Sequence, residues 1–357
     1  MQRDATCAAG HPTKVVDVAT RDDVARLAGV SPATVSYAIS GKATISEATR
    51  DRVFAAMRKL EYTPNVMAQA LAGRRSRIIA ILLPSQERGI SNADMEYMLG
   101  AASAAAELGY HLLLWPTVDR DMDEVMALGN AGLLDGIILM EVRLDDERVH
   151  LLRKAKIPFA LIGRTATEDS KLLFSDRDFE SAIHEAVAYL ASCGHKHVAF
   201  LNAPRALVRQ GLGAPVRADN AFKAAVKLHG IKGVNLYSGT TVEAGRELAQ
   251  KLRNEHPEVT ALVDMNPEAI IGFMQEAQRV LIAIPQQLSV VSVGVPDNFA
   301  NATTPALTTI APPANAMGRS AAQQLIASVS GEAPPTGPRL FIGELVERGS
   351  SGPAPRI

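Results

Sequence analysis

The sequence predicts a small all-α head built around a helix-turn-helix, followed by a larger α/β body of two similar lobes. Three observations predict it. Residues 20–62 carry helical signals and no strand signal. A basic stretch, Arg74-Arg75-Ser76-Arg77, then separates two kinds of pattern. Beyond it, short apolar runs alternate with helical stretches of roughly 10–16 residues, which implies parallel sheets covered on both faces.

The head elements follow in order. Residues 1–18 show no clear period and read as a flexible arm. Thr20 is placed to cap a first helix, with Asp23 three residues on to return the contact. Val24, Leu27 and Ala28 give its apolar stripe, and Gly29 supplies the tight turn. Ser31 then caps a second helix, with Pro32 at its first position, where a missing N–H costs nothing. Val35 and Ile39 are spaced to face inward, which leaves Ala33, Thr34, Ser36 and Tyr37 outward or flanking the core. Ser46 caps a third helix whose inner stripe is Val53, Met57 and Leu60. Helical spacing alone fits any small bundle as well as a DNA-binding unit, though the second helix is thin enough to enter a major groove. The stretch from Tyr62 to Gly73, between a Pro stop and a Gly stop, adds a helix too short to be stable alone. It can order only against a partner, such as a dimer mate and DNA.

In the body, buried strands are expected at residues 78–83, 111–115, 136–140, 159–162, 197–201, 261–263 and 288–293. Helices are expected at 93–108, 179–192, 217–229, 242–254 and 267–280. These are too many strands for one open sheet of ordinary size, so two lobes are expected. The chain should cross between them near Phe174-Ser175-Asp176 and again near residues 303–305, with a helix at 314–329 returning to the first lobe. A last strand at 339–346 is expected in the second lobe. Residues 331–338 and 349–355 read as a loop and a frayed tail.

Composition narrows the function classes. With 47% hydrophobic residues in 357, the chain can bury a sizeable core. The net charge of −1 conceals an asymmetry: residues 1–77 hold 12 basic and 7 acidic side chains, and the rest 25 and 31. A basic head on an acidic body suits a polyanion partner, although ordinary charge scatter gives the same balance. The two cysteines, Cys7 and Cys193, have no zinc or disulfide spacing, in keeping with a reduced cytoplasmic compartment. The start lacks a signal-peptide apolar core, and no apolar run approaches the ~18 residues of a membrane span. No phosphate-loop, dinucleotide, nucleophile-elbow or H-E-x-x-H motif is present, so no catalytic residue, cofactor or metal is expected. His195 and His197 flank a strand start and read as structural surface residues. A solute receptor is disfavoured by the missing signal peptide and by the attached head.

The head motif, residues 20–36 from Thr20-Arg21-Asp22-Asp23-Val24-Ala25 to Ala33-Thr34-Val35-Ser36, resembles that of the lac repressor (LacI) family. The Tyr62–Ser76 run resembles the family's hinge helix. Looser likeness continues through Gly194-His195-Lys196-His197-Val198-Ala199, Leu288-Ser289-Val290-Val291, Leu307-Thr308-Thr309-Ile310 and Glu344-Leu345-Val346-Glu347-Arg348. The resemblance thus spans about residues 18–350. It implies an arm (1–18), a helix-turn-helix domain (19–63), a hinge helix and linker (64–76), a two-lobe ligand-sensing and dimerisation body (77–350) and a tail (351–357). The first lobe would hold about 77–175 and 305–330, the second about 176–304 and 331–350. The body also resembles periplasmic sugar-binding proteins, whose lobes close on a ligand at the carboxyl ends of their strands.

The resemblance implies a transcriptional regulator, repression being the family default, that binds a near-palindromic operator as a homodimer and answers to a small-molecule effector. Pro32, Ala33 and Tyr37 fall where family members read bases; Ser31, Thr34 and Ser36 fall where hydroxyls grip phosphate. Thr20 and Asn65 complete the expected DNA-facing set, and Leu71 matches the hinge leucine that wedges into the minor groove. Ser85, Arg164, Arg217 and Asn266 are the expected effector contacts. Arg217 departs from the pattern, lying five residues before Phe222 where four is usual, with Ala221 in place of glycine. Pro267 and Gly294-Val295 stand where many relatives carry acidic residues, so the cleft is expected to be less negative than usual and the effector to be anionic or weakly polar. A degenerate pocket controlled by a protein partner is the alternative.

Overall fold

The computed structural model describes residues 19–40, 45–62, 75–83, 90–116, 122–167, 171–310, 313–334 and 337–356. The chain divides into two compact units, Met1–Arg74 and Arg75–Ile357.

The first unit contains α1 (Arg21–Ala28), α2 (Pro32–Ser40) and α3 (Glu47–Lys59). Thr20 and Asp23 form a reciprocal capping box at the start of α1. Gly29 ends α1 at φ 65°, a left-handed conformation that favours a residue without Cβ, and its N–H reaches the carbonyls of Ala25 and Arg26. Val24, Ala25 and Ala28 pack with Val35, Ala38, Val53 and Ala56. Leu27 is 44% exposed, so Ala25 takes the inner place expected for it. The cause is geometric: α1 touches both α2 and α3, and positions 24, 25 and 28 span the arc facing that pair.

The second unit is two six-stranded sheets covered by helices. The first lobe contains β1 (Ile78–Leu83), α4 (Asn92–Glu107), β2 (His111–Pro116), α5 (Met122–Asn130), β3 (Gly136–Leu139), α6 (Glu147–Ala155), β4 (Phe159–Ile162) and β5 (Phe174–Arg177). The second contains α7 (Phe179–Ser192), β6 (His197–Asn202), α8 (Arg205–Arg209), α9 (Gly213–Leu228), β7 (Lys232–Tyr237), α10 (Val242–Glu255), β8 (Ala261–Asp264), α11 (Pro267–Arg279), β9 (Ser289–Ser292), α12 (Asp297–Ala300) and β10 (Thr308–Ile310). The chain then returns through α13 (Ala314–Ser330), β11 (Arg339–Phe341) and β12 (Leu345–Val346). The strand orders are β11-β5-β4-β3-β1-β2 and β12-β10-β9-β8-β6-β7. Every pairing is parallel except β10 with β12. Each sheet carries one apolar cluster on either face, which is why β1, β3 and β8 read as continuous apolar runs.

The second unit differs from the sequence expectations at five points. The strand expected at 339–346 is two short strands: β11 joins the first sheet and β12 the second, so the expected last crossing falls between these two strands and not ahead of residue 339. Edge strand β7 was not foreseen, because Lys232 and Gly233 are exposed and break its apolar pattern. The helix expected from Arg217 begins at Gly213, with Pro215 in its first turn. The tail is anchored rather than frayed. The Val290 N–H donates to the Ser350 carbonyl at 2.7 Å, and the Ala354 N–H to that of Cys193 at 2.9 Å. His195 completes this anchor and is buried, not on the surface. Its ring nitrogens lie 2.8 Å from Thr260 Oγ1, 3.1 Å from Ser289 Oγ and 3.1 Å from the Gly352 carbonyl.

Candidate functional sites

The head presents its second helix with a defined outer surface. Ser31, Pro32, Ala33 and Tyr37 are exposed, Thr34 and Ser36 are half-buried, and Val35 and Ala38 point into the core. Ser31 Oγ accepts the Thr34 N–H at 3.1 Å and lies 2.9 Å from Thr34 Oγ1. One cap therefore fixes the start of α2 and the two hydroxyls beside it. The Thr20 hydroxyl donates to Asp23 Oδ2 at 2.6 Å. Asn65 and Leu71 lie outside the described residues.

In the second unit, a cleft opens at the carboxyl ends of both parallel sheets and encloses about 1010 Å³ counting its open mouth. Arg164, Arg217 and Asn266 all line it; Ser85 lies outside the described residues. Arg164, just after β4, donates from Nε to Asp176 Oδ2 at 3.1 Å and from Nη2 to Glu180 at 2.9 and 3.1 Å. Arg217, in α9, is only 9% exposed and reaches out of the second lobe. Its Nη2 donates to the carbonyls of Arg164 and Thr165 at 2.9 and 3.0 Å, and its Nη1 stands 3.7 Å from Asp176 Oδ2. Burial pushes the Asp176 carboxyl above its ordinary value even beside these two arginines. Asn266 caps α11: Oδ1 accepts the Ala269 N–H at 3.4 Å, while Nδ2 donates to the Gly239 carbonyl at 3.2 Å.

Backbone also crosses the cleft. The loop before α9 forms an antiparallel bridge between Leu212 and Arg143. The Gly213 N–H donates to the Val142 carbonyl at 2.9 Å, and the Leu144 N–H to that of Gly211 at 2.8 Å. A Cβ at Gly213 would lie 2.9 Å from the Val142 carbonyl oxygen and 3.2 Å from that of Arg164, so glycine permits this approach.

Sequence reasoning missed Asp94, Tyr97, Glu141, Arg177 and Glu268, which line the cleft as well. The expected shortage of acidic groups does not hold. Asp94, Glu141, Asp176 and Glu268 stand with three arginines, because carboxylates arrive from α4, from just beyond β3, from β5 and from the first turn of α11. The available signal for Arg177 was the charged run Asp176-Arg177-Asp178 directly after an apolar strand start. Asp264, at the end of β8, lies fully buried behind Asn266. It accepts Ser292 Oγ–H and the Asn266 N–H, both at 2.7 Å, and burial pushes its carboxyl up to about 7. Among the described residues no cluster of three or more His, Cys, Asp or Glu could hold a metal, and no helix is long and apolar enough to cross a membrane.

Comparison with known proteins covers both units. Residues 20–65 match the family described as bacterial regulatory proteins, lacI family, and residues 187–351 match the periplasmic binding protein-like domain. The HTH-type transcriptional regulator AglR of Rhizobium meliloti (strain 1021) is 28% identical over 346 residues, covering 93% of this chain and 94% of the relative. Catabolite control protein A of Priestia megaterium is 28% identical over 279 residues, 75% of this chain and 80% of the relative. Among solved structures, a lac repressor dimer bound to operator and the anti-inducer ONPF superposes with a TM-score of 0.79 at 23% identity. It covers 94% of this chain and 99% of its own. The complex of the regulator CelR with cellobiose gives 0.68 at 24% identity, covering 93% of this chain and 99% of its own.

Proposed function

From the premise that this chain belongs to the lacI family of bacterial regulatory proteins, a DNA-binding transcriptional regulator and not an enzyme, we propose that it binds a near-palindromic operator as a homodimer. Repression is the expected sign, the cytoplasm the expected compartment, and a small molecule in the body cleft the expected control. The observation that carries the reading is the head: a capped helix-turn-helix whose second helix exposes Ser31, Pro32, Ala33 and Tyr37 over a closed core. Pro32 and Ala33 offer only apolar contact to a base edge, such as a thymine methyl, whereas Tyr37 adds a polar one.

Dimerisation has a candidate surface in the body. Helix α4 exposes Met95 and Leu99, and edge strand β2 exposes Leu113 and Leu114. An apolar face beside a strand that is at the sheet edge among the described residues suits a second copy of the chain. The lac repressor dimer is bound to operator and the anti-inducer ONPF, and CelR to cellobiose; lobe closure around a small ligand of this kind shifts DNA affinity only if the two lobe arrangements bind it differently. A genome-wide map of bound sites, followed by sedimentation with the recovered DNA, tests the proposal. Paired half-sites about one helical turn apart, bound by two chains, are expected. Binding without sequence preference, or by monomer alone, would overturn it. Leu71→Ala is expected to weaken operator binding and bending more than non-specific binding.

A further inference from the structure

We propose that the cleft takes a small ligand with one carboxylate or phosphate on a hydroxyl-bearing body, and that Arg177 holds the charged group; this rests on the small-molecule reading above. Arg177 ends β5 at the cleft lining and is 5% exposed. The three cleft arginines differ in their partners. Arg164 has Asp176 and Glu180, and Arg217 has Asp176 with two carbonyls. Arg177 makes no ion pair among the described residues. Its Nη1 donates to the Val293 carbonyl, its guanidinium meets the Tyr97 hydroxyl, and the Phe179 ring centre lies 5.4 Å away. Its Nε has no hydrogen-bond partner among the described residues.

A buried guanidinium that meets only neutral acceptors among the described residues is an undercompensated charge there. An oxyanion supplies what is missing, because two of its oxygens match two adjacent N–H groups of the guanidinium. The cleft carboxylates set the rest of the ligand. Asp94, Glu141 and Glu268 line the same cleft, and their negative charge repels a second anionic group on the ligand. The ligand is therefore a singly headed acid, such as a sugar acid or sugar phosphate, rather than a polyanion.

The same contact provides the response. Arg177 belongs to the first lobe, and Val293 follows β9 of the second. An anion competes with the Val293 carbonyl for the guanidinium, exchanging a bond between lobes for a bond to ligand. That is a differential interaction with two lobe arrangements, the condition for a ligand to move the equilibrium between them.

Calorimetric titration of the full chain with matched probes tests this: glucose, galactose and ribose against their phosphates and their aldonic or uronic acids. In a parallel measurement, the melting temperature is followed in inorganic phosphate against chloride at equal ionic strength. At least one acid is expected to bind tenfold or more tighter than its neutral parent, and phosphate is expected to raise the melting temperature. Arg177→Gln should remove both preferences, and Arg177→Lys should keep part of them. Neutral sugars that bind as tightly as their acids overturn the proposal, as does a preference unchanged in Arg177→Gln. If Arg177→Gln fails to fold, the acid-to-neutral ratio in the unmodified protein decides alone. A body that binds none of these probes and gains no stability from phosphate also overturns it. The small-molecule reading fails separately if cell metabolite extracts leave the operator complex intact.

Discussion

The head and the cleft use polar side chains in opposite ways. In the head the key hydroxyls bond three residues away: Thr20 with Asp23, Ser31 with Thr34, Ser46 with Thr49. In the cleft, Arg217 bonds carbonyls 52 and 53 residues away and Arg177 one 116 residues away. Burial follows the same division, with Tyr37 44% exposed and Arg177 5%. Local caps set the head's surface without help from the rest of the chain. The cleft stores its polar groups in bonds between lobes, so a ligand must trade against existing contacts. The difference separates a surface fixed by local bonds from one held by bonds between lobes.

The largest effect on this comparison is expected from Gly213→Val. Its Cβ would stand 2.7 Å from Arg217 Nη1 and 2.9 Å from the Val142 carbonyl oxygen, and that backbone cannot simply rotate away. Overpacking of this kind costs about 1–3 kcal/mol. Urea unfolding of the body should shift by that amount, and exchange of the Leu144 amide, bonded across the cleft to Gly211, should quicken. Unfolding of the head should not change. Wild-type protection at Leu144 would show that the lobes are held together by something other than this bridge.

A second contrast concerns pH, where the two regions should slope in opposite directions. Asp264 rises from 3.8 to about 7 through burial. The native body therefore keeps a proton that the unfolded chain has lost. Stability from this group is fully present below 3.8 and is lost as pH rises through about 7, at up to about 1.4 kcal/mol per pH unit. Asp264→Asn should lack that slope between pH 4.5 and 7.5 in denaturant titrations of the body. In the head, the Thr20 hydrogen bonds hold the Asp23 carboxyl below its ordinary value. Its contribution is present above 3.8 and is lost as pH falls through the lowered value. A body whose stability is equally pH-dependent in Asp264→Asn would show that the buried carboxyl is charged in the native state.

The division between local and distant contacts also explains what could be read in the sequence. The head was legible because its signals lie within three or four residues: Thr20 with Asp23, Gly29 at a left-handed turn, and Pro32 opening a helix. Leu27 was misplaced because burial in α1 depends on where two other helices sit. Strands β1, β3, β6 and β8 were legible as apolar runs, since both sheet faces are covered. Edge strand β7 was not, because only Leu236 is fully buried along it. Arg164, Arg217 and Asn266 could be placed at the cleft from strand ends and likeness. Their bonding could not be foreseen, because it joins groups brought together only by the fold: Arg164 with the carboxylates of Asp176 and Glu180, Arg217 and Asn266 with distant backbone carbonyls. Arg177 carried no signal beyond its charge, because its partner Val293 comes from another lobe.

The smallest effect, and the most direct probe of the head, is Thr20→Ala. The Thr20 hydroxyl gives its proton to Asp23 Oδ2 and accepts the Asp23 N–H at 3.3 Å. A phosphate oxygen can only accept, so this hydroxyl cannot serve DNA while it caps α1. Losing the cap should cost the head about 1 kcal/mol, and Thr20→Ser should recover most of it. Well below the head's melting temperature, operator affinity should then fall no further than the folded fraction does. Tyr37→Ala, by contrast, should leave stability nearly unchanged and alter preference at one base pair of each half-site, because its side chain is exposed at the surface of α2. If Thr20→Ala instead loses tenfold in operator affinity while circular dichroism reports a fully folded head, the hydroxyl leaves its cap to hold phosphate. The head would then share with the cleft the property of exchanging an internal bond for a ligand.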